Sequence, residues 1–300
     1  MNLFKAFLLG LLQGATEFLP VSSSGHLVLV PWLMGWKSPG LAFGAVVHWG
    51  TALAVVVYFW RDWVSIAQAA FRPLHISPLR RLRTGPAEER FPAGEDTSDS
   101  KATAEPSQGF AGTRLAWLIL LGTVPAALIG WLLEDFFESM FARPAAAAGF
   151  LLVTAALLIT SERLGRRQRD LHTLAWPDAL LVGLAQALAI FPGISRSGAT
   201  IAAGLARGLR REPAARFSFL LATPIILGAG LLKVVDLAQV GDLAAQAPVL
   251  VVGFLAAGAV GFGCIHFLLR YLQRRRLYPF AVYCAVVGVT CLLVALVRGR

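Results

Sequence analysis

The chain has 300 residues, of which 57% are hydrophobic and 15% are charged, and its mean hydropathy is +0.67. Soluble domains are about 45 to 50% apolar, so this composition excludes an ordinary soluble protein and predicts an all-α polytopic membrane protein. The formal net charge is +10. The arginines gather at the ends of apolar runs, which is the positive-inside pattern and predicts no nucleic-acid partner.

Six apolar runs have the length of a membrane span, about 20 residues; they cover residues 41–60, 115–133, 145–160, 214–235, 249–269 and 278–297. Their arginine-rich ends should face the cytoplasm, and acidic residues such as Glu134 and Asp236 mark the opposite face. Counting the spans from this assignment predicts that both termini lie outside. Residues 72–112 are rich in Pro, Gly, Ser and mixed charge, which predicts a disordered cytoplasmic loop.

Two further apolar segments, 3–36 and 177–209, are each interrupted by a cluster of Pro, Ser and Gly. The stretch "GLLQGATEFLPVSSSG" at 10–25 aligns without a gap with "GLAQALAIFPGISRSG" at 183–198, and seven positions are identical. Each copy precedes three spans, so the second copy enters from the opposite face, as in inverted-repeat transporters. We therefore predict a single membrane domain, 1–300, with halves at 1–165 and 177–300.

The arm that follows each cluster, 27–36 or 199–209, has about ten residues and rises about 15 Å, half the thickness of the hydrocarbon core. Such arms cannot cross the membrane and must turn back. We predict that both segments are re-entrant helix hairpins and that their tips, 20–25 and 192–198, meet near the midplane of the membrane.

The composition of the two tips predicts an anion-binding site. Irregular backbone at membrane depth must be buried or line a wet cavity, and a helix that starts there presents free N–H groups and a positive dipole end. Simple helix capping is the other interpretation of the first-tip serines Ser22 and Ser24. The predicted substrate-binding residues are Ser22, Ser24, Gly25, Gly193, Ser195, Ser197, Gly198 and Thr200.

The two copies differ where chemistry would require it. The differing pairs are Glu17 and Ile190, Ser23 and Arg196, and His26 and Ala199. One half would supply acid–base groups and the other a guanidinium whose planar fork suits phosphate oxygens. A buried structural ion pair is the alternative interpretation of Glu17 and Arg196. His48 has no polar neighbours in the sequence, which favours a structural role for it.

The motifs "QGATEFLPVSSSGH" and "PGISRSGAT" resemble those of the undecaprenyl-diphosphate phosphatase family, also called the bacitracin-resistance family. The segments "AVVHWGTALAVVVYFWRD" and "FSFLLATPIILGAG" are also similar to family segments, so the resemblance covers the whole chain. It implies a bacterial inner-membrane enzyme that hydrolyses a polyprenyl diphosphate to the monophosphate, which recycles the carrier lipid of peptidoglycan synthesis. It also implies a divalent cation, Mg²⁺ or Ca²⁺, an outward-facing active site, and frequent homodimers.

By motif, the functional positions of the family fall on Glu17, Ser23, His26 and Arg196. The family often has E-G-x-x-E, whereas this chain has Gln13 at the first glutamate, so we expect Glu17 and Gln13 to hold the metal. Ser23 would attack the terminal phosphorus, with His26 or Glu17 as the base. An activated water is the other interpretation, and the sequence leaves both open.

A lipid or anion transporter without hydrolytic activity is the alternative function, because inverted repeats with broken helices are the standard architecture of transporters. The asymmetry between the halves at Glu17 and His26 argues for the enzyme, since translocation alone would not require those groups on one side.

Overall fold

The computed structural model describes residues 1–71, 108–240 and 243–299. Those residues form twelve α-helices and one short 3₁₀ helix, with no β-strand among them. The helices are α1 (Leu3–Phe18), α2 (Ser23–Leu33), α3 (Leu41–Tyr58), α4 (Trp60–Phe71), α5 (Gln108–Leu132), α6 (Glu134–Phe141), α7 (Pro144–Leu164), α8 (Trp176–Leu188), α9 (Arg196–Ala206), α10 (Arg211–Val240), α11 (Leu243–Arg274) and α12 (Tyr278–Val297), and the 3₁₀ turn is Leu171–Thr173.

Five of these helices are long and apolar enough to cross a membrane: segments of α5, α7, α10, α11 and α12. The predicted span over 41–60 is instead part of a bent pair, because α3 and α4 meet at an angle of 77° around Phe59. By length and composition, the described residues therefore contain five candidate spans, or six if the bent pair counts as one. The prediction of an all-α polytopic membrane protein is confirmed at this level.

The predicted loop over 72–112 ends earlier in the structure than in the sequence-based prediction. Residues 72–107 lie outside the described residues, but 108–112 already belong to α5. Helix α5 begins at Gln108, and because residues 108–112 carry no charge they can continue the apolar helix toward its N-terminus.

Each of the two interrupted segments forms a pair of helices that pack on each other, α1 with α2 and α8 with α9. The breaks fall at 19–22 and 189–195, where the Pro, Ser and Gly clusters were located in the sequence. The second helix of each pair, α2 or α9, has 11 residues. The predicted break and the short second arm are therefore present in both segments, and their re-entry into the membrane stays a prediction.

Each helix pair packs on a long helix from the other half of the chain. Helix α1 packs on α11, which belongs to the second half, and α8 packs on α5, which belongs to the first. The equivalent glycines of the repeat, Gly10 and Gly183, make these contacts against Gly253 and Gly122, and neither leaves room for a Cβ atom. The last spans of the two halves, α7 and α12, pack on each other. This arrangement brings the two tips together in the interior.

The arginine-rich end of the bundle is held by buried carboxylates. Asp178 is fully buried and accepts from Arg169 at 2.7 Å and from Arg207 at 2.5 Å. Glu162 accepts from Arg211 through both carboxylate oxygens, at 2.6 and 2.7 Å. These pairs join the ends of α7, α8, α9 and α10, so part of the positive charge at this end is neutralised within the protein.

Candidate active site

The first tip is a sharp turn between α1 and α2, and Ser22 caps the returning helix. Its backbone lies in the left-handed region, with φ 71°, which is uncommon for a residue other than glycine. Its Oγ accepts from the Gly25 backbone N–H at 3.3 Å. The predicted capping role of Ser22 is therefore observed, and Ser24 Oγ lies 3.4 Å from Ser22 Oγ.

The second tip is capped in the same way by Ser195, whose Oγ accepts from the Gly198 N–H at 3.0 Å. Thr154 of α7 fixes this turn, because its hydroxyl donates to Gly193 O and accepts from Ser195 N–H, both at 2.9 Å. Gly193 has φ 106°, a conformation that favours glycine. Thr154 lies about 40 residues from the tip in sequence, so neither tip motif indicates its role there.

The remaining predicted substrate-binding hydroxyls brace the two tips. Ser197 Oγ donates to Leu19 O of the first tip at 3.2 Å. Thr200 Oγ1 lies 2.6 Å from Ser218 Oγ of α10, a partner that the sequence analysis also missed. Gly25 lies so close to the other tip that a Cβ atom there would be 3.0 Å from Gly193 Cα. The tips meet as predicted, and several of their hydroxyls already have protein partners.

Glu17 is the centre of the polar cluster where the tips meet. Its side chain is 3% exposed, and one carboxylate oxygen, Oε1, forms an ion pair with Arg196 of the second tip. The other oxygen, Oε2, accepts from Ser23 Oγ at 2.5 Å and from Gln13 Nε2 at 2.8 Å. Four residues predicted from the two motifs are thus brought into direct contact, three from the first half and one from the second.

His48 of α3 also belongs to this cluster, although the sequence analysis interpreted it as structural. Its Nε2 lies 3.5 Å from Glu17 Oε2, and its Nδ1 lies 2.6 Å from Gly44 O. His48 has no polar neighbours in the sequence, but in the folded protein it lies beside the Glu17 carboxylate. The signal that could have identified it is an ionisable residue within an apolar helix, which is costly in a membrane and marks function by default.

His26 faces a different set of atoms from those expected of a general base. Its Nδ1 lies 2.7 Å from Ser22 O, and because a carbonyl oxygen only accepts, Nδ1 is the donor. Its Nε2 then accepts from Tyr283 Oη at 2.8 Å, and the two rings stack with centroids 5.6 Å apart. Both ring nitrogens are therefore engaged away from Ser23 and Glu17. In this structure the Ser23 hydroxyl therefore contacts Glu17 and not His26, and the catalytic role of His26 stays a prediction.

The oxygen atoms of this cluster show whether its residues could hold the expected divalent cation. Gln13 is 0% exposed, and its Oε1 is a buried acceptor without a hydrogen-bond partner. Within residues 1–71, 108–240 and 243–299, no three His, Cys, Asp or Glu side chains are grouped as a metal site. Mg²⁺ usually takes one or two carboxylates and completes its shell with waters and substrate phosphates. Glu17 and Gln13 fit an ion of that kind.

Known proteins are similar to this chain over nearly its whole length. Residues 6–290 match the family model described as bacitracin resistance protein BacA. The undecaprenyl-diphosphatase of Desulforudis audaxviator is 39% identical over 100% of both chains, that of Thermomicrobium roseum is 42% identical over 98% of each, and that of Rubrobacter xylanophilus is 44% identical over 94% of each. Both tips and every residue of the polar cluster between them lie within the residues matched by the family model.

Proposed function

Because the chain belongs to the bacitracin resistance protein BacA family, we propose that it is an undecaprenyl-diphosphatase, an enzyme that hydrolyses undecaprenyl diphosphate to undecaprenyl phosphate and phosphate. This reaction recycles the carrier lipid used in peptidoglycan synthesis. One observation carries the proposal: Glu17 accepts from Ser23 through one oxygen, at 2.5 Å, and from Arg196 through the other. A base, a nucleophile and a phosphate-binding cation therefore meet at one carboxylate. Apolar helices surround them, where a lipid tail can lie.

The first step forms a phosphoserine. The proton of Ser23 Oγ passes to the carboxylate of Glu17, the Oγ–P bond forms at the terminal phosphorus, and the bridging P–O bond breaks. The electron pair of that bond leaves with undecaprenyl phosphate. In the second step water attacks the phosphorus, and the Ser23 oxygen leaves and recovers its proton from Glu17. Both hydrogens of the water leave with inorganic phosphate.

Arg196 would change partners during this reaction. Its guanidinium is paired with Glu17 in the free enzyme, which is the geometry that the structural-pair interpretation requires. Protonation of Glu17 in the first step removes the charge that holds this pair. The guanidinium can then bind phosphoryl oxygens with its planar fork. The same ion pair is thus compatible with catalysis, and substitution of Arg196 distinguishes the two roles.

We further propose that Glu17 and Gln13 hold a divalent cation, Mg²⁺ or Ca²⁺. The buried and unpartnered Oε1 of Gln13 supports this assignment. Such an ion would neutralise part of the diphosphate charge and polarise its oxygens. Arg196 and the N-termini of α2 and α9 would contribute in the same direction.

The membrane arrangement is also a proposal. The arginine-rich loops would face the cytoplasm, both termini would lie outside the bacterial inner membrane, and the site would open to the periplasm. The α1–α2 and α8–α9 pairs would be re-entrant, since an 11-residue helix rises only about 16 Å. Reporter fusions to the C-terminus and at Thr97 test the orientation, and a cytoplasmic signal from the C-terminus would contradict it. Cross-linking in membranes tests the expected homodimer.

Phosphate release from undecaprenyl diphosphate by detergent-purified protein is the experiment that tests the function. We expect turnover in the wild type and its loss in Glu17→Gln, which keeps the shape of the side chain and removes the charge. A folded wild type that releases no phosphate, but moves polyprenyl phosphate between leaflets of vesicles, would support the transporter instead.

A further inference from the structure

The tautomer of His48 is determined by its own helix. Its Nδ1 lies 2.6 Å from Gly44 O, one turn earlier in α3, and a carbonyl oxygen can only accept. The ring hydrogen of neutral His48 is therefore on Nδ1, and Nε2 carries a lone pair. Metal-binding histidines commonly have this arrangement, in which one ring nitrogen donates to a backbone carbonyl and the other binds the ion.

The lone pair of His48 faces another acceptor. Nε2 and Glu17 Oε2 are 3.5 Å apart, beyond the usual hydrogen-bond distance of about 2.7 to 3.2 Å. Two atoms that each lie about 2.1 Å from one shared ion are separated by about 3.0 to 3.5 Å. The observed separation therefore suits two ligands of a single cation.

Gln13 lies beside the same carboxylate and has an unpartnered oxygen. Its Nε2 donates to Glu17 Oε2 at 2.8 Å, so its amide adjoins the carboxylate that His48 faces. The Oε1 of this amide is buried and has no hydrogen-bond partner. A buried acceptor without a partner costs free energy, and a bound cation would remove that cost. Glu17 Oε2 therefore has the His48 nitrogen and the Gln13 amide as neighbours, and rotation of that amide about its last bond would turn its oxygen toward them.

We infer that His48 supplies a nitrogen ligand to the divalent cation held by Glu17 and Gln13, which makes the metal site of this chain a mixed nitrogen and oxygen site. The inference rests on the metal role in the proposed function. Imidazole favours first-row transition metals, whereas all-oxygen sites favour Mg²⁺ and Ca²⁺. The site should consequently bind Mn²⁺, Co²⁺ or Zn²⁺ more tightly than Mg²⁺ or Ca²⁺.

Mn²⁺ alone is the probe, because its electron paramagnetic resonance reports both binding and bound nitrogen. The full chain in detergent should bind Mn²⁺ with the spin-echo modulation of an imidazole nitrogen, and Mg²⁺ should displace it only in large excess. His48→Gln should lose the nitrogen modulation and bind Mn²⁺ about 10-fold or more weakly. The matched control is His266→Gln on α11, because that ring contacts Tyr58, 3.1 Å away, and should leave both signals unchanged.

Nitrogen modulation that persists in His48→Gln, or that is missing from the wild type, would overturn the inference, as would unchanged Mn²⁺ affinity in the variant. If His48→Gln does not fold, wild-type protein labelled with nitrogen-15 histidine decides the question, because a bound histidine changes the hyperfine pattern and an unbound one does not. Phosphate release by the wild type is measured separately. If the wild type releases phosphate but shows no nitrogen modulation, only the His48 assignment is rejected. If the wild type releases no phosphate, the proposed function is rejected.

Discussion

Ser23 Oγ lies 2.5 Å from Glu17 Oε2, although the two residues belong to different helices on either side of the first tip. A hydroxyl and a carboxylate this close form a short, charge-assisted hydrogen bond. The bond places the acceptor of the serine proton in the resting site, before substrate arrives. His26, the other base considered from the sequence, has its ring nitrogens on Ser22 O and Tyr283 Oη.

The Ser23 hydroxyl should be the nucleophile. Ser23→Ala should lower kcat by about 1,000-fold or more and leave diphosphate binding largely intact, because the cation ligands and the N-termini of α2 and α9 remain in place without that hydroxyl. Phosphate release and binding of a non-hydrolysable diphosphate measure the two effects. Ser161→Ala is the control, since that serine is also buried but its hydroxyl donates to Leu158 O within α7. Substantial hydrolysis by Ser23→Ala would favour an activated water and reduce Ser23 to a ligand.

Arg196 should be required for its geometry as well as its charge. Arg196→Lys keeps a positive charge but loses the planar fork, and we expect a fall in kcat of about 100-fold in a folded protein. Turnover and the melting temperature in detergent should be measured together, with exposed Arg61→Lys as the control. Near-normal turnover would show that the Glu17 ion pair is structural.

Tyr283 should act through His26, because its hydroxyl donates to His26 Nε2 at 2.8 Å while its ring stacks on the imidazole. Tyr283→Phe removes the hydrogen bond and keeps the ring. The loss should be about 1 kcal/mol, or about five-fold in kcat/KM, with an unchanged pH profile. Tyr271→Phe, whose hydroxyl donates to Arg276 O, is the control. A Tyr283→Phe enzyme with an altered acid limb in its pH profile would return His26 to the role of base.

The metal requirement should respond in opposite ways to two substitutions. Gln13→Glu adds a carboxylate one helical turn before Glu17, and because the affinity of hard cations rises with ligand charge, less Mg²⁺ or Ca²⁺ should be needed for half-maximal activity. Glu17→Gln should cost orders of magnitude in turnover at any cation concentration. Phosphate release against free Mg²⁺ or Ca²⁺ measures both effects. A Gln13→Glu curve that overlays the wild type would separate Gln13 from the metal.

The sequence by itself determined the membrane class, the repeated pair of broken helices, and the cluster residues Glu17, Ser23 and Arg196. These follow from local patterns, because apolar length defines a span and a Pro, Ser and Gly cluster interrupts a helix wherever it lies. The alignment of the two copies then isolated the residues at which they differ. Capping by Ser22 was also an interpretation that the sequence offered, since a cap bonds to a backbone amide three residues away.

Only the tertiary structure decided which distant side chains join the tips. His48 lies in α3 and Tyr283 in α12, and their contacts with Glu17 and His26 depend on how these helices pack around the first tip. No periodicity or spacing records such contacts, because they arise between faces of helices that are brought together by folding. The same packing determined which atoms the two ring nitrogens of His26 contact, and no sequence motif contains that information. Those atoms belong to two separate parts of the chain, the first tip and α12.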